Sequence, residues 1–257
     1  MLDHYSPNVM RNLRSGSLSL QYSAGSLWNI CLGTEEVVRR IYLVFQDINW
    51  TSRPFEILNE KWDIQEDSFA AVINLCGTHD AQSFQVKLII TGSPSGEISY
   101  GFSGRAFDNF MRNRLGLCLL HPIKHFAGKA CTLTLMDGSS SLSQFPDLIS
   151  PHQPFKQLSG ISHKTLTGKE IKVEFTGEVF ETEDHRNWSD ASYKTYCTPI
   201  ELPFPVQILK GEQINQEIRV SLFDDNGAPS KATEKKTIIS VSDSEVDLPN
   251  IGLNFPE

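Results

Sequence analysis

The chain has 257 residues, of which 39% are hydrophobic and 10% aromatic, and a formal net charge of -8. This apolar content excludes an intrinsically disordered chain, because disordered segments lack the apolar side chains that build a core. A sequence pI near 5.4 argues against nucleic acid or a membrane surface as a partner, since both attract clustered Lys and Arg.

Alternating apolar and polar residues predict β-strands along most of the chain. From Ile98 onwards, the alternation places Ile98, Tyr100 and Phe102 on one face and small residues on the other. In chain order we predict strands over 27–32, 37–45, 69–75, 86–90, 98–103, 132–136, 171–175, 206–209 and 218–222. Many short strands separated by turn residues are typical of a large antiparallel β-sandwich, so we predict an all-β fold with few short helices.

Three segments depart from this alternation. Phe107, Phe110 and Met111 recur at helical spacing and predict one short helix or turn. Residues 145–155 contain three prolines, which cannot donate ladder hydrogen bonds, and are expected to form a loop or an edge. Residues 181–205 are dense in polar residues and prolines, and are also expected to form a loop.

The last 34 residues differ in character from the rest of the chain. We expect residues 1–223 to form the β-sandwich domain. Residues 224–257 begin with a polar stretch typical of a hairpin or linker, and they end with the apolar run Ile-Gly-Leu-Asn-Phe. We interpret this segment as a linker and a strand that lead toward a further domain absent from the chain.

The sequence shows no targeting or cofactor motif. The N-terminus lacks an apolar leader, so the expected compartment is the cytoplasm, and no apolar run approaches the roughly 20 residues needed to cross a membrane. Neither a phosphate-binding loop nor a zinc-protease motif is present, and we expect no cofactor and no metal. The five cysteines lack a Cys-x-x-Cys pair, which favours buried thiols over disulfides or a zinc site; they are Cys31, Cys76, Cys118, Cys131 and Cys197.

Residues suited to catalysis crowd into the segment 181–196. Glu183 has the chemistry of a general base, and Arg186 can hold an anion or an oxyanion. Trp188 can stack on the face of a sugar. His152 lies between Pro151 and Gln153, on stiff backbone where an imidazole can act at neutral pH. The alternative for all of these residues is a structural role, as ion pairs in a surface loop and as satisfied histidines.

Several segments of the chain are long and unusual in composition. They are Val-Arg-Arg-Ile-Tyr at 38–42, Asp-Ile-Asn-Trp at 47–50, residues 111–116 and 120–122, and residues 148–155. The most distinctive is 178–205, which contains Arg-Asn-Trp-Ser-Asp-Ala-Ser-Tyr-Lys-Thr-Tyr. Together they resemble the N-terminal region of bacterial D-apionolactonase-like proteins, enzymes that open a branched-chain sugar lactone to the aldonate. The resemblance implies a β-rich domain, similar more loosely to the galactose-mutarotase supersandwich, which continues into a (β/α)-barrel-like region.

The resemblance leads to three hypotheses. The first is a sugar-recognising domain of a lactonase-like enzyme, with its site where 145–155 and 181–196 converge. The second is a mutarotase-like sugar epimerase, and the third is a non-catalytic module that packs against a further domain. For the first, the candidate catalytic residues are Glu183, His152 and Arg186, and the candidate residues for binding a sugar or sugar lactone are Arg112, His121, Gln153, Asp184, Asn187, Trp188, Asp190, Lys194 and Tyr196.

Overall fold

The computed structural model describes residues 10–77 and 84–224. The linker and strand that we predicted over 224–257 lie outside the described residues from position 225 onwards. The strands are β1 Arg11–Ser15, β2 Leu18–Ser23, β3 Ser26–Leu32, β4 Glu35–Gln46, β5 Phe55–Ile64, β6 Phe69–Gly77, β7 Phe84–Gly92, β8 Glu97–Ala106, β9 Phe110–Arg112, β10 Arg114–Pro122, β11 Ala130–Leu135, β12 Ser140–Gln144, β13 Phe155–Lys164, β14 Glu170–Thr176, β15 Phe180–Asp184, β16 Ser192–Tyr196, β17 Val206–Ile208 and β18 Gln213–Phe223. The helices are α1 Ile123–Phe126 and a 3-10 helix, His185–Trp188.

One long antiparallel sheet dominates the described part of the chain. Its strand order is β1-β2-β3-β4-β10-β16-β15-β13-β14-β18-β8-β7-β6-β5, with β11 and β12 branching from β13 and a separate β9–β17 pair. The sheet doubles back, so that its two ends meet: the Gly16 amide donates to the Asp67 carbonyl at 2.9 Å, and the Tyr22 ring packs edge-on against Trp62. The predicted all-β antiparallel sandwich is confirmed.

The core lies between the two layers of this folded sheet. β7 alternates strictly between buried and exposed positions, as expected for a strand with one solvated face. β10 is buried along its whole length, because other residues cover both of its faces. Apolar rows cross several strands, as where Leu27, Ile41 and Leu119 lie opposite one another, all without exposed surface.

Of the short helix or turn predicted around Phe107, the helix is wrong, since residues 107–108 form a bend and residues 110–112 form β9. The Phe110 ring is buried between Phe45 and Phe84, at centroid distances of 5.8 and 5.7 Å, whereas Phe107 and Met111 are exposed. A helix would have brought all three side chains to one face. Tertiary burial of Phe110 alone therefore decides this segment in favour of a strand.

The two predicted loops have different outcomes. Residues 145–154 have no regular secondary structure, as their prolines indicated. The predicted loop over 181–205 is wrong in its first half, where β15 and β16 form a hairpin between β13 and β10. Thr182 and Thr195 face each other in full burial and share a hydroxyl hydrogen bond of 2.8 Å. Polar composition hid these strands because their buried side chains are themselves polar.

Two further observations concern cysteines and helices. None of the five cysteines forms a disulfide; Cys118, Cys131 and Cys197 are buried, and Cys31 and Cys76 are half-buried. The prediction of buried thiols is thus confirmed for three of the five. Within 10–77 and 84–224, no helix has the length and apolar character that a membrane span requires.

Candidate functional site

The β15–β16 hairpin sends the predicted site residues to two opposite faces of the sheet. Glu183 lies opposite Lys194 in the strand register, and Asp184 lies opposite Tyr193. Because successive residues of a strand point to opposite faces, Glu183 and Asp184 cannot share a site. We refer to the face of Glu183 and Lys194 as the outer face, and to that of Asp184 and Tyr193 as the inner face.

On the inner face, Arg186 is held by a dense set of hydrogen bonds. Its Nε and Nη2 donate to the two oxygens of Asp184 at 2.9 and 2.7 Å, and Nη1 donates to the Asp147 carbonyl at 2.8 Å. Burial alone would raise the pKa of the Asp184 carboxyl, but hydrogen bonds from Arg186 and the Ser150 amide outweigh it and lower the pKa. The predicted oxyanion-binding Arg186 therefore ties the loop 145–154 to the hairpin.

His121 also lies on the inner face, in the aromatic core. Its ring packs against Phe126, Phe145 and His163 at centroid distances of 5.0, 5.3 and 6.1 Å. Neither ring nitrogen has a hydrogen-bond partner among the described residues. Burial, with a smaller contribution from His163, lowers the pKa of His121 well below its usual value, so the ring is neutral.

The predicted convergence of residues 145–155 with 181–196 is observed, but direct hydrogen bonds occupy the junction. Asn187 Nδ2 donates to the Ser150 carbonyl at 2.7 Å, and Tyr193 donates its hydroxyl to the Pro146 carbonyl. His152 is exposed on the loop, and Trp188 is 73% exposed beyond the hairpin. His152 therefore does not join Glu183 and Arg186 in one cluster.

On the outer face, charged side chains form a half-buried network. Lys194 Nζ lies 3.1 Å from Glu183 Oε1, and His185 Nε2 lies 3.8 Å from the same oxygen. His185 Nδ1 lies 3.4 Å from Asp190, which also faces Arg39 at 3.9 Å. Burial first, and then Lys194, lower the pKa of His185 despite its two acidic neighbours.

Cations and aromatic rings alternate across this outer face. The Arg40 guanidinium lies 4.0 Å from the Trp28 ring centroid and 4.1 Å from that of Tyr42. The Arg114 guanidinium lies 3.9 Å from the centroid of Tyr196, whose hydroxyl donates to Glu181 at 2.5 Å and lies 3.5 Å from Gln153 Nε2. Tyr196 and Gln153 thus belong to the outer face together with Glu183, Asp190 and Lys194.

A cavity of about 640 Å³ opens beside β4 at this face. The β3–β4 register begins at Leu27 opposite Ile41, so β4 from Tyr42 to Gln46 extends past the end of β3. Polar and apolar residues both line the cavity, a combination typical of small-molecule sites. The polar lining includes Arg40, Tyr42, His185 and Lys194, and the apolar lining includes Phe55, Ile57 and Leu75.

Sequence reasoning missed Arg40, Tyr42 and His185 as site residues. Arg40 and Trp28 are cross-strand partners, and Tyr42 follows Arg40 two residues later on the same face. The aromatic residues at 28 and 42 were visible in the sequence, but only the strand register shows that they enclose one guanidinium. Arg112 lies elsewhere, on a second cavity of about 330 Å³ that Glu178 and Glu212 also line.

The structure offers no preformed metal centre in its described ranges. No group of three or more His, Cys, Asp or Glu side chains there is arranged to hold a metal ion. The outer-face network of Glu183, His185 and Asp190 is therefore described as an ion-pair and hydrogen-bonding network.

The fold defines the class of protein: a large antiparallel β-sandwich domain that also occurs within longer enzymes. An α-galactosidase of Geobacillus stearothermophilus matches 85% of this chain with 41% of its own, at a TM-score of 0.54 and 11% identity. An α-galactosidase of Lactobacillus brevis matches 85% of this chain with 40% of its own, at a TM-score of 0.51 and 12% identity.

The sequence matches define the family. Residues 2–225 match the family described as D-apionate lactonase, N-terminal domain. The D-apionate lactonase of Brucella anthropi is 32% identical over 245 residues, which are 94% of this chain and 40% of that protein. The chain belongs to the D-apionate lactonase N-terminal domain family, and it spans about two fifths of the length of this curated relative.

Proposed function

We propose that this chain is the carbohydrate-binding domain of a sugar-lactone hydrolase and that it binds the sugar in the cavity beside β4. The observation that carries the proposal is the mixed lining of this cavity, which contains Arg40, Tyr42, His185 and Lys194 together with Phe55 and Ile57. A sugar presents both hydroxyls and apolar C–H faces, which such a wall can match. A volume of about 640 Å³ accommodates one monosaccharide-sized ligand.

Lys194 is the central residue of the proposed binding site. Its ammonium lies 3.1 Å from Glu183 and 5.4 Å from the Tyr196 ring centroid, so two neighbours hold its position at the cavity wall. An ammonium has three donors, and Glu183 leaves donors available for sugar hydroxyls. We assign Glu183 the role of positioning Lys194.

We further propose that the domain is auxiliary, and that hydrolysis requires a further domain of the longer protein. The separation of Glu183, His152 and Arg186 supports this, because lactone opening needs a base and an oxyanion stabiliser around one carbonyl carbon. In that reaction, water adds to the carbonyl carbon and the bond to the ring oxygen breaks. The ring oxygen leaves as a hydroxyl group, and the product is an aldonate with one proton released.

Titration calorimetry with D-apionate and its lactone tests this proposal. We expect binding to the chain without hydrolysis, and hydrolysis once the remaining part of the lactonase is added. Lys194→Met should weaken binding roughly tenfold, as expected for the loss of one charged hydrogen bond. Lys172→Met is the matched control, since Lys172 is also a strand lysine paired with a glutamate, at 2.7 Å, but lies on β14. Equal affinity of both variants, or hydrolysis by the chain alone, would contradict the proposal.

An apolar surface at one end of the sandwich supports docking of that further, barrel-like domain. Trp50 packs edge-on against Phe204 with centroids 4.9 Å apart, and both rings remain partly exposed. Ile48, Ile200 and Leu202, which are near them in the sequence, are exposed as well. The curated relative extends well beyond the matched part, which supplies an occupant for this surface.

Mixing this chain with the separately expressed remainder of the relative tests the docking. Phe204→Glu should weaken association at least roughly tenfold, because it places a charge in the apolar contact. Leu166→Glu is the control, since Leu166 is exposed on the β13–β14 turn. The docking surface is refuted if both variants associate equally well.

A further inference from the structure

Arg40 is held in a fixed orientation at the wall of the cavity beside β4. Its guanidinium lies between the Trp28 and Tyr42 rings, and Nη2 donates to Ser26 Oγ at 3.1 Å. Contact with two aromatic rings leaves the N–H groups that are not bound to Ser26 for any further partner. Arg40 thus has the geometry of a preorganised donor.

Arg40 lacks a counter-ion within the described part of the chain. No carboxylate there lies within 4.0 Å of its guanidinium, and its buried Nε has no hydrogen-bond partner. Burial lowers the pKa of Arg40, while Tyr42, Tyr100 and Cys118 act in the opposite direction. A half-buried cation without a partner costs free energy that an anionic ligand would recover.

Among the described residues, the cavity wall carries cations but no carboxylates. Its charged lining residues are Arg40, Arg53 and Lys194. Asp47 neutralises Arg53 at 2.7 Å from outside the wall, and Glu183 neutralises Lys194 at 3.1 Å in the same way. Arg40 therefore remains as the uncompensated positive charge, and the cavity as a whole favours an anion over a neutral ligand.

We infer that this cavity selects the open-chain sugar acid, an aldonate, and that Arg40 binds its carboxylate. The inference rests on the proposed function, since it names the form of sugar that the binding domain takes. A planar carboxylate accepts two parallel N–H bonds from a guanidinium edge, whereas the lactone ring carries no charge. The domain then binds the product of lactone opening in preference to the neutral substrate.

The test compares two ligands that differ at one carbon atom: D-apionate and the alditol in which an uncharged hydroxymethyl group replaces its carboxylate. Titration calorimetry on the chain should give an affinity for D-apionate at least roughly tenfold above that for the alditol. Arg40→Gln should remove this preference and leave the alditol affinity within about twofold. Arg40→Lys should retain part of it, because an ammonium keeps the charge but loses the planar fork.

Arg219→Gln is the matched control, because Arg219 is an exposed strand arginine paired with Glu217 on β18. It should leave both affinities unchanged. Equal affinities of the wild-type chain for the two ligands would overturn the inference while the sugar-binding function stands. If the wild-type chain binds neither ligand, the proposed function fails as well. Should Arg40→Gln not fold, the wild-type preference and the Arg40→Lys variant still decide the question.

Discussion

The two faces of the β15–β16 hairpin carry the same kinds of side chain and use them differently. On the inner face, the guanidinium of Arg186 and the amide of Ser150 complete the hydrogen bonds of Asp184. On the outer face, Glu183 and Lys194 form an ion pair at the wall of a cavity. The Lys194 ammonium keeps N–H donors that Glu183 does not bind. Charged residues that are close together in the sequence thus fall into two groups: those that stabilise the fold, and those that are available to a ligand.

The largest expected effect is on the inner face, where Asp184→Ala should destabilise the fold by about 3–5 kcal/mol. The substitution removes a fully buried carboxylate and leaves Arg186 without its counter-ion. Urea unfolding measures the change, with Asp190→Ala as the control because Asp190 is more exposed. A loss for Asp184→Ala no greater than that of the control would remove the distinction between the two faces.

A second effect concerns the pH dependence of stability. Burial lowers the pKa of His121 well below its usual value and that of His163 to about 4, against about 6.5 in an unfolded chain. Below pH 6.5 the unfolded chain binds more protons than the folded chain. The contribution of these two neutral rings to the free energy of unfolding is therefore present in full above pH 6.5. It falls as the pH drops toward 4, by about 1.4 kcal/mol per pH unit for each histidine.

Urea unfolding between pH 7.5 and pH 5 measures this slope. His121→Phe should reduce the slope by up to about 1.4 kcal/mol per pH unit, because its ring is replaced by an apolar ring of similar shape, whereas His163 and His185 still titrate. His125→Phe is the control, since His125 lies outside the buried pair, in α1. An identical slope in wild type and His121→Phe would show that His121 is not the titrating group.

The smallest effect on stability is expected on the outer face, where Glu183→Gln should cost less than about 1 kcal/mol. The pair is half-buried, and glutamine keeps the shape and one acceptor oxygen. The same variant should weaken binding of the uncharged lactone several-fold, since Lys194 loses its positioning partner. Thermal unfolding and calorimetry separate the two readouts. A stability loss as large as that of Asp184→Ala, with binding unchanged, would reverse the assignment of the faces.

Much of the fold followed from local patterns. Strands such as β7 and β8 alternate apolar and polar residues because one of their faces meets solvent, and this period is visible in the sequence. β10, β15 and β16 escaped prediction because both faces are covered or because their buried residues are polar. The helical spacing at Phe107 wrongly indicated a helix for a related reason. Burial of the single Phe110 ring in a strand outweighed a pattern of three residues.

The candidate site shows the same division between features that local sequence patterns reveal and features that depend on the folded sheet. Residue patterns along the chain were enough to predict the all-β class, the family resemblance and the strip of polar residues around Glu183. Only the tertiary structure decided that Glu183 and Asp184 face opposite ways, and that Trp28 and Tyr42 enclose Arg40 beside a cavity. The physical reason is that strand alternation is a local property, whereas cross-strand register joins residues far apart in sequence and is set by the burial of the whole sheet.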